Sequence, residues 1–291
     1  MNNILITGGC GFLGRYVIKD LLDKFEYVKI KTISRNESNI VKTAAKCGLG
    51  RIESIVGDIR DSRILPYALR DVDTVIHLAA MKHIDLCEMN PFEAISINVA
   101  GTINLIEHFQ GNTFIAMSTD KAVEPLGCYG ATKLLMEKIV LQKACEENEK
   151  RFMIVRSGNV FGSSGSVIEK WKEQIKQANK ITVTDLEMTR FFIKVERLSD
   201  FILDIIENGE NGNIYIPEQK TIKLEDLVQV AIESLANSGT QVNVIGLRKG
   251  ERLHERLFYD EEKIVTNLKT GNSLDSERLN KDEIYNLLKE L

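Results

Sequence analysis

Residues 7–14 read Thr7-Gly8-Gly9-Cys10-Gly11-Phe12-Leu13-Gly14, directly after the apolar run Asn3–Thr7 and at the start of the amphipathic stretch Phe12–Phe25. Three glycines at GxxGxxG spacing between a strand and a helix leave few folds open. The first permits a tight turn, the second lets backbone approach a pyrophosphate, and the third lets the helix lie close on the sheet. The helix start adds unpaired N–H groups and a positive dipole end. A plain strand–helix turn needs less than this. The pattern in this setting predicts a nucleotide site lined by Thr7, Gly8, Gly11, Phe12, Leu13 and Gly14.

The rest of the chain fits that start. Short apolar runs at Lys29–Ser34, Ile52–Val56, Thr74–Leu78, Thr113–Ser118 and Phe152–Ser157 alternate with helical periods, notably Pro91–Phe109 and Tyr129–Glu147. This is the pattern of a doubly wound, Rossmann-type α/β sheet. After about Gly158 the rhythm changes to helices at Val167–Gln177, Glu196–Glu207, Leu224–Leu235 and Lys281–Leu291, with short strands at Ile181–Thr184, Asn213–Ile216 and Gln241–Ile245. The expected division is a cofactor-binding domain at 1–160 and a smaller, mainly helical, substrate-binding lobe at 161–291. With 43% hydrophobic residues, a core of this size can be buried.

A net charge of −4 gives no electrostatic reason to expect nucleic acid or an anionic membrane as partner. An anionic ligand must therefore be met by local cations and helix ends. The five cysteines are odd in number and widely spaced, with no CxxC pair, which argues against a disulfide framework and a zinc site. No apolar run approaches the roughly 18 residues of a membrane span, and the first strand leaves no room for a signal peptide. A cytoplasmic location is expected.

The second strand ends Thr32-Ile33-Ser34-Arg35. An NAD site usually places an acid here for the ribose 2′-hydroxyl, whereas a guanidinium beside Ser34 suits a 2′-phosphate. NADP is therefore expected over NAD. Asp58 follows the third strand, within reach of the adenine, and Ala79-Ala80 follow the fourth, small enough for the cofactor to lie against backbone.

Tyr129 and Lys133, in Tyr-Gly-Ala-Thr-Lys, are four apart on one helical face. An ammonium near the phenol would lower its pKa from about 10 and make it a base toward a hydroxyl. Thr119, closing the fifth strand, can hydrogen-bond that same hydroxyl. Asp120-Lys121 directly after it would be a surface ion pair in most loops; at the strand's carboxyl end they suggest a second proton-transfer task, the elimination of water.

Ser-Thr-Asp-Lys-Ala-Val-Glu-Pro followed by Tyr-Gly-Ala-Thr-Lys resembles the UDP-N-acetylglucosamine 4,6-dehydratases, a branch of the extended short-chain dehydrogenases. Further similar strings are Ala79-Ala80-Met81-Lys82-His83, Asn98-Val99-Ala100-Gly101-Thr102, Arg156-Ser157-Gly158-Asn159-Val160, Met188-Thr189-Arg190-Phe191-Phe192 and the run Arg248–Glu255. The likeness runs from residue 4 to about 258. It implies that Tyr129, helped by Lys133 and Thr119, removes the C4 hydroxyl proton as hydride leaves C4. Lys121 would then take the C5 proton, and Asp120 would protonate the departing C6 hydroxyl. As a base Lys121 must be neutral, so burial or nearby cations must depress its pKa from about 10.4.

By the same resemblance Ile59, Lys82 and Asn98 join the cofactor set. Lys82, His83, Asn159, Val167, Thr184, Arg190, Arg248 and Glu251 would meet the UDP-sugar, the arginines on its diphosphate and Glu251 on its ribose. Ser157, Ser164, Lys249, Cys10 and Phe12 depart from the family pattern. Two other functions share these residues: a nucleotide-sugar 4-epimerase or 4-ketoreductase, and a non-catalytic NADP-sensing protein. The intact Thr119–Tyr129–Lys133 set speaks against the sensor. Helices Pro91–Phe109 and Tyr129–Glu147 pair between subunits in extended short-chain dehydrogenases, so a homodimer or larger homo-oligomer is expected.

Overall fold

The computed structural model describes residues 3–47, 50–163, 165–235, 239–259 and 262–290. Its strands are β1 (Asn3–Thr7), β2 (Lys29–Ser34), β3 (Ile52–Val56), β4 (Thr74–His77), β5 (Thr113–Thr119), β6 (Arg151–Ser157), β7 (Asn159–Val160), β8 (Lys180–Val183), β9 (Thr189–Ile193), β10 (Ile214–Ile216), β11 (Lys220–Lys223), β12 (Gln241–Val244) and β13 (Ile264–Thr266). The helices are α1 (Phe12–Lys24), α2 (Glu37–Cys47), α3 (Leu65–Ala68), α4 (Ile84–Met89), α5 (Pro91–Ile95), α6 (Gly101–His108), α7 (Cys128–Glu146), α8 (Val167–Ala178), α9 (Val195–Asn208), α10 (Leu224–Leu235) and α11 (Lys281–Lys289). The end of the last expected helix, Leu291, lies outside the described residues.

Eight strands form one parallel sheet in the order β13-β10-β6-β5-β4-β1-β2-β3. Side chains alternate across its faces, as a pleated strand requires. Leu5, Phe114, Ala116, Phe152 and Ile154 pack with Leu105 of α6 and Met136 and Val140 of α7. Ile4, Ile6, Ile115, Met153 and Val155 pack with Val17, Ile18 and Leu21 of α1 and Leu198 and Ile202 of α9 on the other face. Helices thus cover both faces, and the doubly wound expectation is met.

The division expected at residue 160 does not separate this sheet. β10, β13 and α9 all lie beyond it and complete the layer. The remaining C-terminal elements build a separate core around Trp171, Ile175, Ile181, Leu227 and Ile284. Two small sheets accompany it, β11-β9-β7 and β12-β8.

The expected helix Pro91–Phe109 is one helical run interrupted by a π turn at Ser96–Ala100. A π turn adds one residue to the helical repeat and re-aims the side chain it carries. Asn98 sits there, fully buried; its amide accepts from Met81 N (2.8 Å) and donates to Met81 O (3.0 Å) and Thr132 Oγ1 (3.0 Å). The loop after β4 is thereby pinned to α7.

Candidate active site

In a parallel sheet every strand delivers its carboxyl end to the same edge. β1 lies between β2 and β4, and β4 borders β5, so the glycine turn, Ala79-Ala80 and Thr119–Lys121 emerge side by side. The chain order reverses between β1 and β4, which is where ligands settle in such sheets.

The glycine turn is built as its spacing predicts. Gly8 has φ of +72°, and a Cβ there would lie 2.8 Å from Ala79 N. A Cβ on Gly14 would lie 2.5 Å from both Gly8 O and Gly9 Cα, so only glycine lets α1 close on the turn. Gly11 occupies the cap position of α1 in extended conformation, and no side chain caps the helix. Its leading N–H groups are left for a ligand, the environment a pyrophosphate needs. Beneath the turn Thr7 Oγ1 bonds His77 Nδ1 (2.7 Å), and His77 Nε2 bonds Thr102 Oγ1 (3.0 Å). Complete burial holds His77 neutral, its pKa pushed down to about 3.

At the far end of this edge Arg35 is exposed beside Asn36, Glu37 and Ser38, which line an open concavity. Its guanidinium lies 3.8 Å from Asp58. Asp58 is also gripped by Arg60, with Oδ2 2.7 Å from Nη2 and Oδ1 2.9 Å from the Arg60 backbone N. Burial is the largest single influence and pushes its pKa up, but these contacts together outweigh it and lower the pKa. Ile59 is buried beside it and packs under Gly101.

The second half of the site is made of side chains. Thr119 ends β5, and its hydroxyl donates to Asp120 Oδ1 (2.9 Å). Lys121 Nζ lies 2.9 Å from that same oxygen and 3.7 Å from Glu255 Oε1. Asp120 Oδ2 is buried without a hydrogen-bond partner. Lys121, Tyr129, Arg252, Glu255, Ile84 and Gly250 line one cavity. α7 reaches this turn because Gly130 has no side chain; a Cβ there would collide with the Lys121 carbonyl.

Two expected protonation states are corrected. Lys121 was expected to be depressed toward neutrality. Burial does push that way, but Asp120 and Glu255 outweigh it and raise the pKa above that of a free lysine. Lys121 rests as an ammonium. Tyr129 was expected to be acidified by Lys133. Burial instead raises the phenol to about 12, and the cation opposing this is Lys121. Lys133 is itself buried, donates to Met117 O (2.6 Å), and is lowered to about 8 by desolvation.

None of the residues assigned to the UDP-sugar lines this cavity itself. Arg190 is turned inward. Its Nη1 donates to Thr189 O (2.8 Å) and Leu253 O (3.0 Å), its Nη2 donates to Arg252 O (2.6 Å), and its Nε faces Glu255 Oε1 at 3.8 Å. Arg248 pairs with Asp85 (3.2 Å), while Glu251 accepts from Arg248 N (3.2 Å). Asn159 donates to Phe191 O, Thr184 to Met188 Sδ, and Val167 opens α8. His83 packs against Gly165, next to the exposed Lys82. Of the departures from pattern, Cys10 and Ser157 are buried, Lys249 lies 3.7 Å from Glu88, and Ser164 is outside the described residues. Glu255 and Arg252 were not singled out in the sequence. Their one local signal is the charged run Arg248–Glu255, which does not say which carboxylate turns inward.

A family model described as polysaccharide biosynthesis protein matches residues 4–273. A Methanocaldococcus jannaschii protein described as an uncharacterized membrane protein is 36% identical over 99% of this chain and 95% of its own length. A Campylobacter jejuni UDP-N-acetylglucosamine 4,6-dehydratase (inverting) is 38% identical over 91% of this chain and 79% of its own. A Rickettsia akari UDP-glucose 4-epimerase is 34% identical over 89% and 78%. Among solved structures, Pen from Bacillus thuringiensis superposes with a TM-score of 0.91 at 31% identity, covering 99% of this chain and 97% of that one. No helix among the described residues is long and apolar enough to cross a membrane.

Proposed function

The chain belongs to the polysaccharide biosynthesis protein family, and we propose that it acts there as a UDP-N-acetylglucosamine 4,6-dehydratase. The observation that carries this reading is the Asp120–Lys121 pair, 2.9 Å apart, with Asp120 buried and Lys121 lining one cavity with Tyr129. A 4-epimerase, the alternative that the Rickettsia name favours, or a 4-ketoreductase needs the tyrosine and its partners but no second acid and base. Burying a charged pair is costly unless it is used or tightly satisfied, and Asp120 Oδ2 is left unsatisfied.

The uncapped helix and the glycine cradle fit a nicotinamide dinucleotide, which when bound supplies the acceptor and donor of hydride. Arg35 beside Ser34 supports NADP over NAD. Burial holds the Tyr129 phenol protonated at rest, so it first releases that proton to solvent; the phenolate then receives the C4 hydroxyl proton, with the Thr119 hydroxyl orienting that group. The resting ammonium and carboxylate are the inverse of what elimination needs. One proton moved from Lys121 to Asp120 across 2.9 Å makes an amine base and a carboxylic acid together. Lys121 then takes the C5 proton, Asp120 protonates the C6 hydroxyl as the C6–O bond breaks, and water leaves. Lys121 later returns a proton to C5. The product is a 4-keto-6-deoxy sugar with no net redox change.

Exposed Met89 and Phe92 on α4 and α5, and Leu135 on α7, support a homodimer through these helices. The absence of any charge pattern for membranes or nucleic acid supports a cytoplasmic enzyme. The purified protein, incubated in deuterated water with UDP-N-acetylglucosamine and no added cofactor, is expected to yield a C6 methyl resonance. Absence of the methyl signal, or a C4 epimer in its place, rejects the dehydratase.

A further inference from the structure

We propose that Glu255 is a positioning residue for the C5 proton transfer: its carboxylate holds Lys121 over the cavity and governs how readily that amine takes and releases a proton. This rests on the dehydratase reading for the identity of the proton, though not for the contact itself.

Glu255 is 3% exposed, and a carboxylate taken from water needs charged partners. Among the described residues it has two, both through Oε1: Lys121 Nζ at 3.7 Å and Arg190 Nε at 3.8 Å. Arg190 has its other nitrogens committed to backbone carbonyls, so it is a fixed cation. The backbone of Glu255 is fixed as well. Its N–H donates to Ser273 Oγ (2.8 Å), and Ser273 N donates to Glu255 O (2.9 Å). Ser273 Oγ in turn bonds Thr189 Oγ1 (2.7 Å), which also bonds His254 Nδ1 (2.9 Å). A scaffold of buried hydroxyls thus carries the carboxylate to the cavity that Lys121 and Tyr129 line.

Proton accounting shows why one carboxylate is not enough. Four groups act on the Lys121 ammonium: Asp120 on its own turn, Glu255, Arg190 on β9, and Tyr129 on α7. Once Asp120 carries the proton it will give to the leaving hydroxyl, it is neutral. When Lys121 then takes the C5 proton, the anion remaining beside the new ammonium is Glu255. Its charge is needed at the step where Asp120 cannot provide one.

The test compares Glu255→Gln and Glu255→Asp with the wild type. The first readout is independent of turnover: acetic anhydride labelling of Lys121 at pH 8, followed by peptide mass spectrometry with the other lysines as a folding control. Only the neutral amine reacts, so Glu255→Gln is expected to label at least about 10-fold faster, corresponding to about one pH unit. Glu255→Asp should stay near wild type. The second readout is kinetic. Glu255→Gln is expected to lower kcat about 10-fold or more with KM unchanged and to slow deuterium entry at C5, with partial rescue in Glu255→Asp. Equal labelling in all three proteins overturns the inference. Faster labelling with unchanged C5 exchange overturns its role in the proton transfer. If wild-type protein makes no methyl product while labelling responds as expected, the dehydratase reading fails and the hold of Glu255 on Lys121 stands.

Discussion

The two halves of the site are made differently. On the cofactor side, the working surface is main chain: Gly8, Gly11, Gly14 and the uncapped start of α1. On the side proposed for the substrate, it is a cluster of charged side chains drawn from the turn after β5, from β9 and from the segment around Glu255, with Tyr129 of α7 beside them. Backbone N–H groups have no protonation state to tune, so the first half depends on shape and on fixed charge from the helix dipole and Arg35. The second half depends on where protons rest, and each charge there alters its neighbours. Substitutions in the two halves should therefore fail in different ways.

The largest effect is expected for Tyr129→Phe. Removing the phenol hydroxyl should cut kcat by about 10²–10⁴-fold and leave the melting temperature nearly unchanged. An equal fall in stability would mean that the substrate half is also a structural element, and the contrast would break. Gly14→Ala should behave in the opposite manner. Its Cβ would meet main-chain atoms at 2.5 Å, and neither the turn nor the sheet can yield cheaply. A loss of about 1–3 kcal/mol in stability, with weaker cofactor binding, is expected from thermal melts with and without NADP. Wild-type melting would show that the close approach of α1 is dispensable.

The effect confined to acid pH, and absent at neutrality, concerns His77, beneath the glycine turn. Its folded pKa, about 3, lies well below 6.5, so between those values the unfolded chain binds a proton that the folded protein refuses. The stability involved is present above pH 6.5 and lost as pH falls toward 3. Denaturant titrations of His77→Gln should show a shallower acid limb, by up to about 1.4 kcal/mol per pH unit for one proton. An unchanged slope would show that His77 is not the group that titrates there.

Much of the first half of the chain was legible beforehand. β1, β2 and β3 have the limits expected for them, because most of their buried side chains, Ile4, Leu5, Ile6, Ile30, Ile33 and Ile55, are apolar residues in short windows that the sequence displays directly. β9, β11 and β13 were not anticipated. They are three to five residues long and exist through their pairing with β7, β10 and one another, contacts that no local window contains. The same holds within the site. Tyr129 and Lys133 were picked out by spacing and Thr119 by its place at the end of β5, but the pairing of Lys121 with Glu255 was not, and it adds to the larger pull of Asp120 in reversing the expected protonation of Lys121.

By itself the sequence determined what depends on neighbours along the chain: the glycine turn, the alternating strands and helices, and the residue types at the carboxyl edge. Tertiary structure alone decided which charges meet. Asp120, Lys121, Arg190 and Glu255 come from three separate parts of the chain. A proton's resting place depends on distances of a few ångströms between groups buried away from water, and those distances are set by the packing of the whole molecule.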